Sequence, residues 1–255
     1  MTNPPFTGVA AALVTLFTDD LEVDVGATAA LAGRLVDAGL SAILVAGSTG
    51  EAAALTAPER AALLTAVVAE VGDRVPVLAG TGAPSARQAV ALTRGARDAG
   101  AAAALVLSPP SASDPRPYYD TVAKEVPDLA LLAYHYPGVS APGVPLDVLD
   151  DLPVVGLKDS SGDPDRLLTE LTSWDRPVYP GSSALVAYAG ILGCPGAILA
   201  LANAEPERCV AAFAGDGTAQ LELVDAHSAQ RGSFPQGIKA LTARRFGTST
   251  ASRMG

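Results

Sequence analysis

Eight short apolar runs, rich in Val, Leu, Ile and Ala, recur roughly every 25 to 30 residues, with longer segments of helical spacing between them. This repeat predicts successive strand–helix units. The runs show almost no polar alternation, which is typical of strands that are buried on both faces in a parallel sheet. The predicted strands span residues 9–17, 42–47, 75–80, 102–108, 129–136, 154–158, 177–181 and 196–203.

Start and stop signals delimit the helices between these strands. Thr56 precedes one helical segment as a capping residue, and Gly39 ends another. Eight units of this size predict a (β/α)8 barrel, or TIM barrel, in residues 1–204, followed by a C-terminal helical extension in residues 205–255. A doubly wound open sheet is the alternative, but no Gly-x-Gly-x-x-Gly turn follows the first strand. Helices of the extension are predicted at 205–214, 218–230 and 235–246.

The charge balance bears on the choice of partners. With 27 acidic and 17 basic residues, the chain carries a net charge of −10. Such a surface repels phosphate backbones and anionic headgroups, so neither nucleic acid nor a membrane is expected as a partner. The N-terminal segment has no basic region followed by a long apolar stretch, and the apolar runs are too short to span a bilayer. The sequence therefore predicts a soluble, cytoplasmic protein.

Cysteine and histidine are scarce in this chain, which has only Cys194, Cys209, His135 and His227. Two unpatterned cysteines predict buried or inert thiols rather than a disulfide framework or a zinc ribbon. Two histidines are too few for a site that needs several imidazole ligands, so no metal is expected. His135 follows Tyr134 in a predicted strand, and alternation turns it toward the surrounding helices, where a structural role is expected.

The active site of a (β/α)8 barrel lies at the C-terminal ends of its strands, and Lys158 ends the sixth predicted strand. An amine that leaves an apolar strand into a closed pocket loses hydration. Its pKa falls, and the neutral, nucleophilic form becomes available for imine formation. The alternatives are a lysine that extends to the surface and an ion pair with the adjacent Asp159.

Two other strand ends carry polar groups that suit the same chemistry. Tyr134 ends the neighbouring fifth strand, where its phenol is expected to transfer protons near the lysine amine. The second strand ends in Gly47–Glu51, whose hydroxyls on Ser48 and Thr49 and whose turn amides are suited to hold a small carboxylate. The alternative for Tyr134 is a half-buried residue that only packs, and the alternative for Gly47–Glu51 is a strand–helix turn without a binding role.

Three motifs at the ends of strands two, five and six occur together in this order. GSTGE at 47–51, YHYP at 134–137 and GLKDSSGD at 156–163 resemble the signatures of the dihydrodipicolinate synthase and N-acetylneuraminate lyase superfamily of pyruvate-dependent, Schiff-base aldolases.

This resemblance implies that Lys158 forms an imine with C2 of pyruvate or another 2-oxo acid, without a cofactor or a metal. It also implies that Ser48 and Thr49 hold the carboxylate, that Tyr134 relays protons, and that the protein is a homo-oligomer, a dimer or a tetramer. The predicted substrate-binding residues are Gly47, Ser48, Thr49, Ser111, Val139, Gly181, Ser182 and Ile198.

The chain departs from the family pattern at two positions. Residues 108–111 read Ser-Pro-Pro-Ser where many members have Thr-Pro-Tyr-Tyr, so no second relay phenol is supplied there. Tyr118 and Tyr119 follow in a predicted helix, where packing is their expected role. Val139 stands where the synthases of lysine biosynthesis carry an arginine for the second substrate's carboxylate, and valine cannot form that charge-assisted pair.

These departures favour a lyase over the lysine-pathway synthase. The expected reaction is the reversible cleavage of a 4-hydroxy-2-oxo acid, such as 4-hydroxy-2-oxoglutarate or a 2-keto-3-deoxy sugar acid, to pyruvate and an aldehyde. The GLKDSSGD stretch at 156–163 and the ILALAN stretch at 198–203 resemble the 4-hydroxy-2-oxoglutarate aldolase branch more than the others. The alternatives are a 4-hydroxy-tetrahydrodipicolinate synthase and a catalytically weakened barrel that binds a keto acid. The C-terminal extension is shorter than is usual in the family.

Overall fold

The computed structural model describes residues 3–254 and confirms the predicted (β/α)8 barrel. Its eight parallel strands hydrogen-bond in the order β7-β6-β5-β4-β3-β2-β1-β8, and β7 and β8 pack side by side to close the ring. The strands are β1 Gly8–Ala12, β2 Ala42–Val45, β3 Val77–Gly80, β4 Ala103–Leu107, β5 Ala130–His135, β6 Gly156–Asp159, β7 Val178–Pro180 and β8 Gly196–Leu199.

Helices surround the strands and continue beyond β8. The connection from β5 to β6 carries only the 3₁₀ helix Leu146–Asp151. Among residues 3–254, none of the helices combines the length and the apolar character that crossing a bilayer requires. The α-helices are α1 Val25–Asp37, α2 Ala57–Val71, α3 Ala86–Asp98, α4 Arg116–Glu125, α5 Pro164–Ser173, α6 Val186–Ile191, α7 Pro206–Phe213, α8 Gly217–Glu222, α9 Val224–Gly232 and α10 Gln236–Phe246.

The first and last strands are shorter than the apolar runs predict. Beyond β1, side chains take over as backbone partners: the Val14 N–H donates to Asn203 Oδ1, and the Leu16 N–H donates to Thr28 Oγ1, both at 3.0 Å. Asn203 also donates through Nδ2 to the Ala12 carbonyl, at 2.7 Å. The apolar residues that follow β1 are therefore buried without belonging to the sheet, since side chains satisfy their backbone groups.

The predicted helix at 218–230 is wrong in one respect, because it is two helices, α8 and α9, that meet at the fully buried Leu223. The predicted domain boundary at residue 204 stays a prediction. Beyond it, α7 packs against β1, and α9 packs against the turns that follow β7 and β8. This last contact places α9 over the C-terminal mouth of the barrel.

Two separate apolar clusters stabilise the barrel. The larger lies between the strands and the helices, and the smaller fills the interior of the barrel. In the interior, Phe6 stacks on Tyr179 with ring centroids 4.7 Å apart, and the Tyr179 hydroxyl donates to the Phe6 carbonyl at 2.9 Å. Because Phe6 precedes β1, this pair closes the N-terminal end and leaves the C-terminal end for the site.

Candidate active site

Lys158 lies inside the barrel, beside Tyr134. The β5–β6 register pairs the two residues directly, and their side chains are only 3% and 4% exposed. The ammonium nitrogen lies 4.4 Å from the centroid of the Tyr134 ring. Both side chains line a cavity of about 470 Å³ at the C-terminal ends of the strands. The two neighbouring strands thus bring amine and phenol together.

Lys158 neither reaches bulk solvent nor pairs with Asp159. Alternation turns Asp159 to the other face of β6, where its carboxylate accepts the Ser161 N–H and the Ser161 hydroxyl, both at 2.8 Å. The Arg166 guanidinium lies 4.0 Å from the same carboxylate. Burial lowers the pKa of Lys158 to about 7.

The Tyr134 phenol is buried and keeps its proton at neutral pH. Burial raises the pKa of Tyr134 to about 12, while hydrogen bonding to the Ser160 and Ser48 hydroxyls acts in the opposite direction. Ser160 Oγ lies 3.5 Å from the Tyr134 oxygen. Ser160 was missed among the predicted site residues, although it stands two positions after Lys158 in the GLKDSS stretch. A protonated phenol in this position is a proton donor for a group bound to the lysine.

The Gly47–Glu51 turn is rigidly held beside the lysine. Its internal hydrogen bonds run from the Glu51 N–H to the Ser48 carbonyl and from the Ala52 N–H to the Gly47 carbonyl. Thr49 is 5% exposed and lines the cavity, and the partly exposed Ser48 lies close to Tyr134. Gly47 is buried in the turn backbone.

Gly181 leaves room for the lysine side chain. A Cβ at this position would collide with Ser160 Oγ and would lie 3.2 Å from Lys158 Cε. The Gly181 N–H also donates to the Asp159 carbonyl at 2.6 Å, which fixes the end of β7 against β6. Ser182 and Ile198 line the same cavity, so three of the predicted substrate-binding residues from β7 and β8 lie together.

The structure does not bring Ser111 and Val139 into this cavity. Ser111 is exposed in a left-handed backbone conformation with φ of 62°, and its N–H donates to the Ala141 carbonyl. Val139 is 51% exposed in a turn, with its N–H donating to the Tyr136 carbonyl. These two residues hold the loops after β4 and β5 rather than facing Lys158.

Tyr118, Tyr119 and His135 have the structural roles that the sequence predicts for them. The Tyr118 hydroxyl bonds to the backbone of Ala83, and the Tyr119 hydroxyl donates to the Val106 carbonyl. His135 faces outward, where Nδ1 accepts the Val144 N–H at 2.9 Å, and burial lowers the pKa of His135 to about 4. None of these three side chains lines the cavity in the described part of the chain.

Helix α9 forms a roof over the cavity that the sequence reasoning missed. His227, Gln230, Arg231 and the following Phe234 all line the cavity opposite the strand ends. Tyr136 lines it from the β5 loop and stacks on Tyr134, with ring centroids 5.8 Å apart. No local motif marks the roof residues, because only the packing of α9 on the β7 and β8 turns brings them to the site.

A hydrogen-bond network fixes this roof. Gln230 Nε2 donates to Ser183 Oγ at 2.9 Å, and Ser183 Oγ lies 2.8 Å from His227 Nδ1. Ser183 Oγ and the neutral imidazole of His227 share a hydrogen bond whose direction follows from the ring tautomer. Burial also lowers the pKa of His227, which favours this neutral form. Gln220 of α8 completes the network by donating to the Ser183 carbonyl at 3.0 Å.

The lowered pKa of Lys158 predicts a characteristic pH profile for imine formation. The ordinary lysine value is 10.5, and burial lowers the pKa of Lys158 to about 7. Below pH 7 the neutral amine fraction falls about tenfold per pH unit, and above it the fraction is nearly complete. We expect the rate of pyruvate trapping by borohydride to rise to about pH 7 and then to level off. A rate that keeps rising toward pH 10 would contradict this assignment.

Comparisons with known proteins agree with this geometry. The family model described as the dihydrodipicolinate synthetase family matches residues 5–233. A 4-hydroxy-tetrahydrodipicolinate synthase from Thiobacillus denitrificans is 36% identical over 233 residues, which cover 86% of this chain and 78% of that protein.

Solved structures extend the similarity to nearly the whole chain. The dihydrodipicolinate synthase from Aquifex aeolicus superposes with a TM-score of 0.89 at 28% identity, covering 98% of this chain and 91% of that chain. YagE, a prophage protein of the same family from E. coli solved in complex with pyruvate, gives a TM-score of 0.87 at 26% identity, with coverages of 96% and 91%. The chain belongs to the dihydrodipicolinate synthetase family and is a carbon–carbon lyase of that family.

Proposed function

We propose that this protein is a pyruvate-dependent class I aldolase that reversibly cleaves a 4-hydroxy-2-oxo acid to pyruvate and an aldehyde. The observation that carries the proposal is the buried Lys158 amine, 4.4 Å from the Tyr134 ring, with its pKa lowered to about 7. An amine in this state is a nucleophile at neutral pH and needs no cofactor to form an imine.

The first step is imine formation. The neutral Lys158 amine adds to C2 of the keto acid, while the Thr49 hydroxyl and the amides of its turn hold the substrate carboxylate. The Tyr134 phenol then donates its proton to the C2 hydroxyl, which leaves as water. The products are a protonated imine and a Tyr134 phenolate. The positive charge of the protonated imine lies over the tyrosine ring and stabilises that phenolate. This attraction offsets the rise in the pKa of Tyr134 that burial causes.

Cleavage follows from the charge on the imine. The phenolate of Tyr134 takes the proton of the C4 hydroxyl, and the C4 oxygen forms the aldehyde carbonyl as the C3–C4 bond breaks. The electron pair of that bond forms the C2–C3 double bond of an enamine. The imine nitrogen thereby loses its positive charge. Protonation of C3 and hydrolysis of the imine release pyruvate and regenerate the amine.

Pyruvate as the ketone is supported by the similarity to the E. coli protein, which was solved with pyruvate. The name of the Thiobacillus relative favours a second candidate, condensation in the manner of a 4-hydroxy-tetrahydrodipicolinate synthase. The exposed Val139 speaks against that candidate, because it offers no cation for a second carboxylate where the lysine-pathway synthases carry an arginine.

A panel of aldehydes tests these candidates. The purified protein is incubated with pyruvate and, separately, glyoxylate, glyceraldehyde, glyceraldehyde 3-phosphate and 2-amino-4-oxobutanoate, and the products are identified by mass spectrometry. We expect 4-hydroxy-2-oxo acids with one of the first three, and release of pyruvate when that product is returned to the enzyme. A cyclic product formed only with the amino aldehyde would favour the synthase. Imine formation without turnover on any aldehyde would favour a keto-acid-binding barrel.

A further inference from the structure

The cavity is much larger than its lysine end requires. Its volume of about 470 Å³ lies in the range of sites that hold a whole small-molecule ligand. Pyruvate bound to Lys158 occupies only the part next to Tyr134 and Thr49. The aldehyde half of a substrate must therefore extend from C3 toward the opposite wall, which is formed by α9 and the residues after it.

Arg231 is a cation on that wall without an anionic partner. Two other arginines of the C-terminal extension are neutralised by carboxylates: Arg208 pairs with Glu205 and Glu222, and Arg245 pairs with Glu207. Within residues 3–254 no carboxylate forms an ion pair with Arg231, which lines the cavity instead.

The positive charge of Arg231 acts on the cavity. Burial raises the pKa of Tyr136, and the charge of Arg231 acts in the opposite direction. Burial lowers the pKa of His227, and the charge of Arg231 adds to that effect. In a chain with a net charge of −10, one unneutralised guanidinium at the cavity wall is a local attractor for anions. Its planar fork of N–H donors matches a carboxylate or a phosphate group.

Gln230 adds an acceptor next to this cation. The residue lines the cavity and is 9% exposed, and its Nε2 is already committed to Ser183. Its carbonyl oxygen is buried and has no hydrogen-bond partner among the described residues. Its amide therefore holds the roof against the turn after β7 and gives Arg231 a polar, fixed neighbour on the cavity wall.

We propose that Arg231, on the α9 roof beside Gln230, forms a distal subsite that selects aldehyde halves ending in an anionic group, carboxylate or phosphate. The proposal rests on the proposed function for the chemistry at Lys158. In this site the cation comes from the α9 roof, whereas position 139 after β5 holds an exposed valine. Arg231 is thereby a specificity-determining residue rather than a catalytic one.

Two matched pairs of aldehydes test the subsite in condensation with pyruvate. Glyceraldehyde 3-phosphate is compared with glyceraldehyde, and succinate semialdehyde with butanal, so that each pair differs by an anionic end. In the unchanged enzyme we expect the anionic member to have the higher kcat/KM. The pair with the larger ratio identifies phosphate or carboxylate as the preferred group.

The variant Arg231→Gln removes the charge. A charge-assisted hydrogen bond is worth about 1.5–3 kcal/mol, so kcat/KM for the anionic aldehyde should fall roughly 10- to 150-fold, with less than about a threefold change for its neutral partner. Arg244→Gln is the matched control, since it removes an exposed arginine of α10 that does not line the cavity, and it should change neither value.

Borohydride trapping of pyruvate on Lys158 separates the two proposals. Trapping should be equal in the unchanged enzyme and in Arg231→Gln, because the subsite lies beyond the ketone. If trapping fails in the unchanged enzyme, the proposed function is wrong. If trapping succeeds but Arg231→Gln lowers kcat/KM equally for charged and neutral aldehydes, or for neither, the distal subsite is overturned.

Discussion

Lys158→Met should abolish turnover, with a loss on the order of 10⁵-fold or more, as expected when a covalent nucleophile is removed. The same variant should show no pyruvyl adduct after borohydride reduction, whereas the unchanged protein gains one adduct on the peptide that contains Lys158. The adduct can be assigned to a single residue because the chain has only three lysines, Lys124, Lys158 and Lys239.

Methionine is the informative replacement because it separates chemistry from folding. It fills a comparable volume and removes an amine whose burial is penalised, so the stability to urea should be unchanged or higher. Lys124→Met, at an exposed position of α4, is the matched control and should retain activity and the adduct. Full activity in Lys158→Met, or an adduct on Lys239, would refute the proposed nucleophile.

The central pair of the site could be predicted because it depends on local rules. The C-terminal ends of parallel strands meet at one end of a barrel, and strands that are adjacent in the chain are usually adjacent in space. Tyr134 and Lys158 therefore had to lie close together once both were placed at strand ends. Period-two alternation likewise predicted that His135 would face away from the cavity.

The limits of the strands and the roof could not be predicted in the same way. The run after β1 resembles a strand because its residues are apolar and buried. Its backbone N–H groups, however, donate to the side chains of Asn203 and Thr28, which come from distant positions, and not to a neighbouring strand. Arg231 and Gln230 reach the site only through the packing of α9 on two turns, which no spacing in the sequence encodes. Long-range contacts therefore determine where the strands end and which residues form the roof, and local periodicity predicts neither.

The C-terminal part of the chain is joined to the Gly47–Glu51 turn by a buried ion pair. Glu51, the last residue of the GSTGE motif, pairs with Lys239 of α10, and both side chains are fully buried. The Glu51 carboxylate also accepts the N–H groups of Arg253 and Met254 and the hydroxyl of Ser252, at 2.8 to 3.0 Å. The turn that holds Thr49 is thus fastened to the far end of the chain.

Lys239→Met should destabilise the protein by about 3–5 kcal/mol, because it leaves the Glu51 carboxylate buried without its cation. For a chain of this size the melting temperature should fall by roughly 10 °C. The apparent affinity for pyruvate should also fall, since the turn bearing Ser48 and Thr49 loses its anchor. Urea unfolding and pyruvate-dependent trapping measure the two effects.

The double variant Glu51→Gln, Lys239→Met tests whether the ion pair itself is responsible. Glutamine keeps the shape and the acceptor oxygen for Arg253 and Met254 but carries no charge, so the double variant should lose less stability than Lys239→Met alone. A merely structural packing role for the lysine stem would give additive losses instead. A change below about 0.5 kcal/mol in Lys239→Met, the range of ordinary surface substitutions, would show that the pair does not anchor the turn.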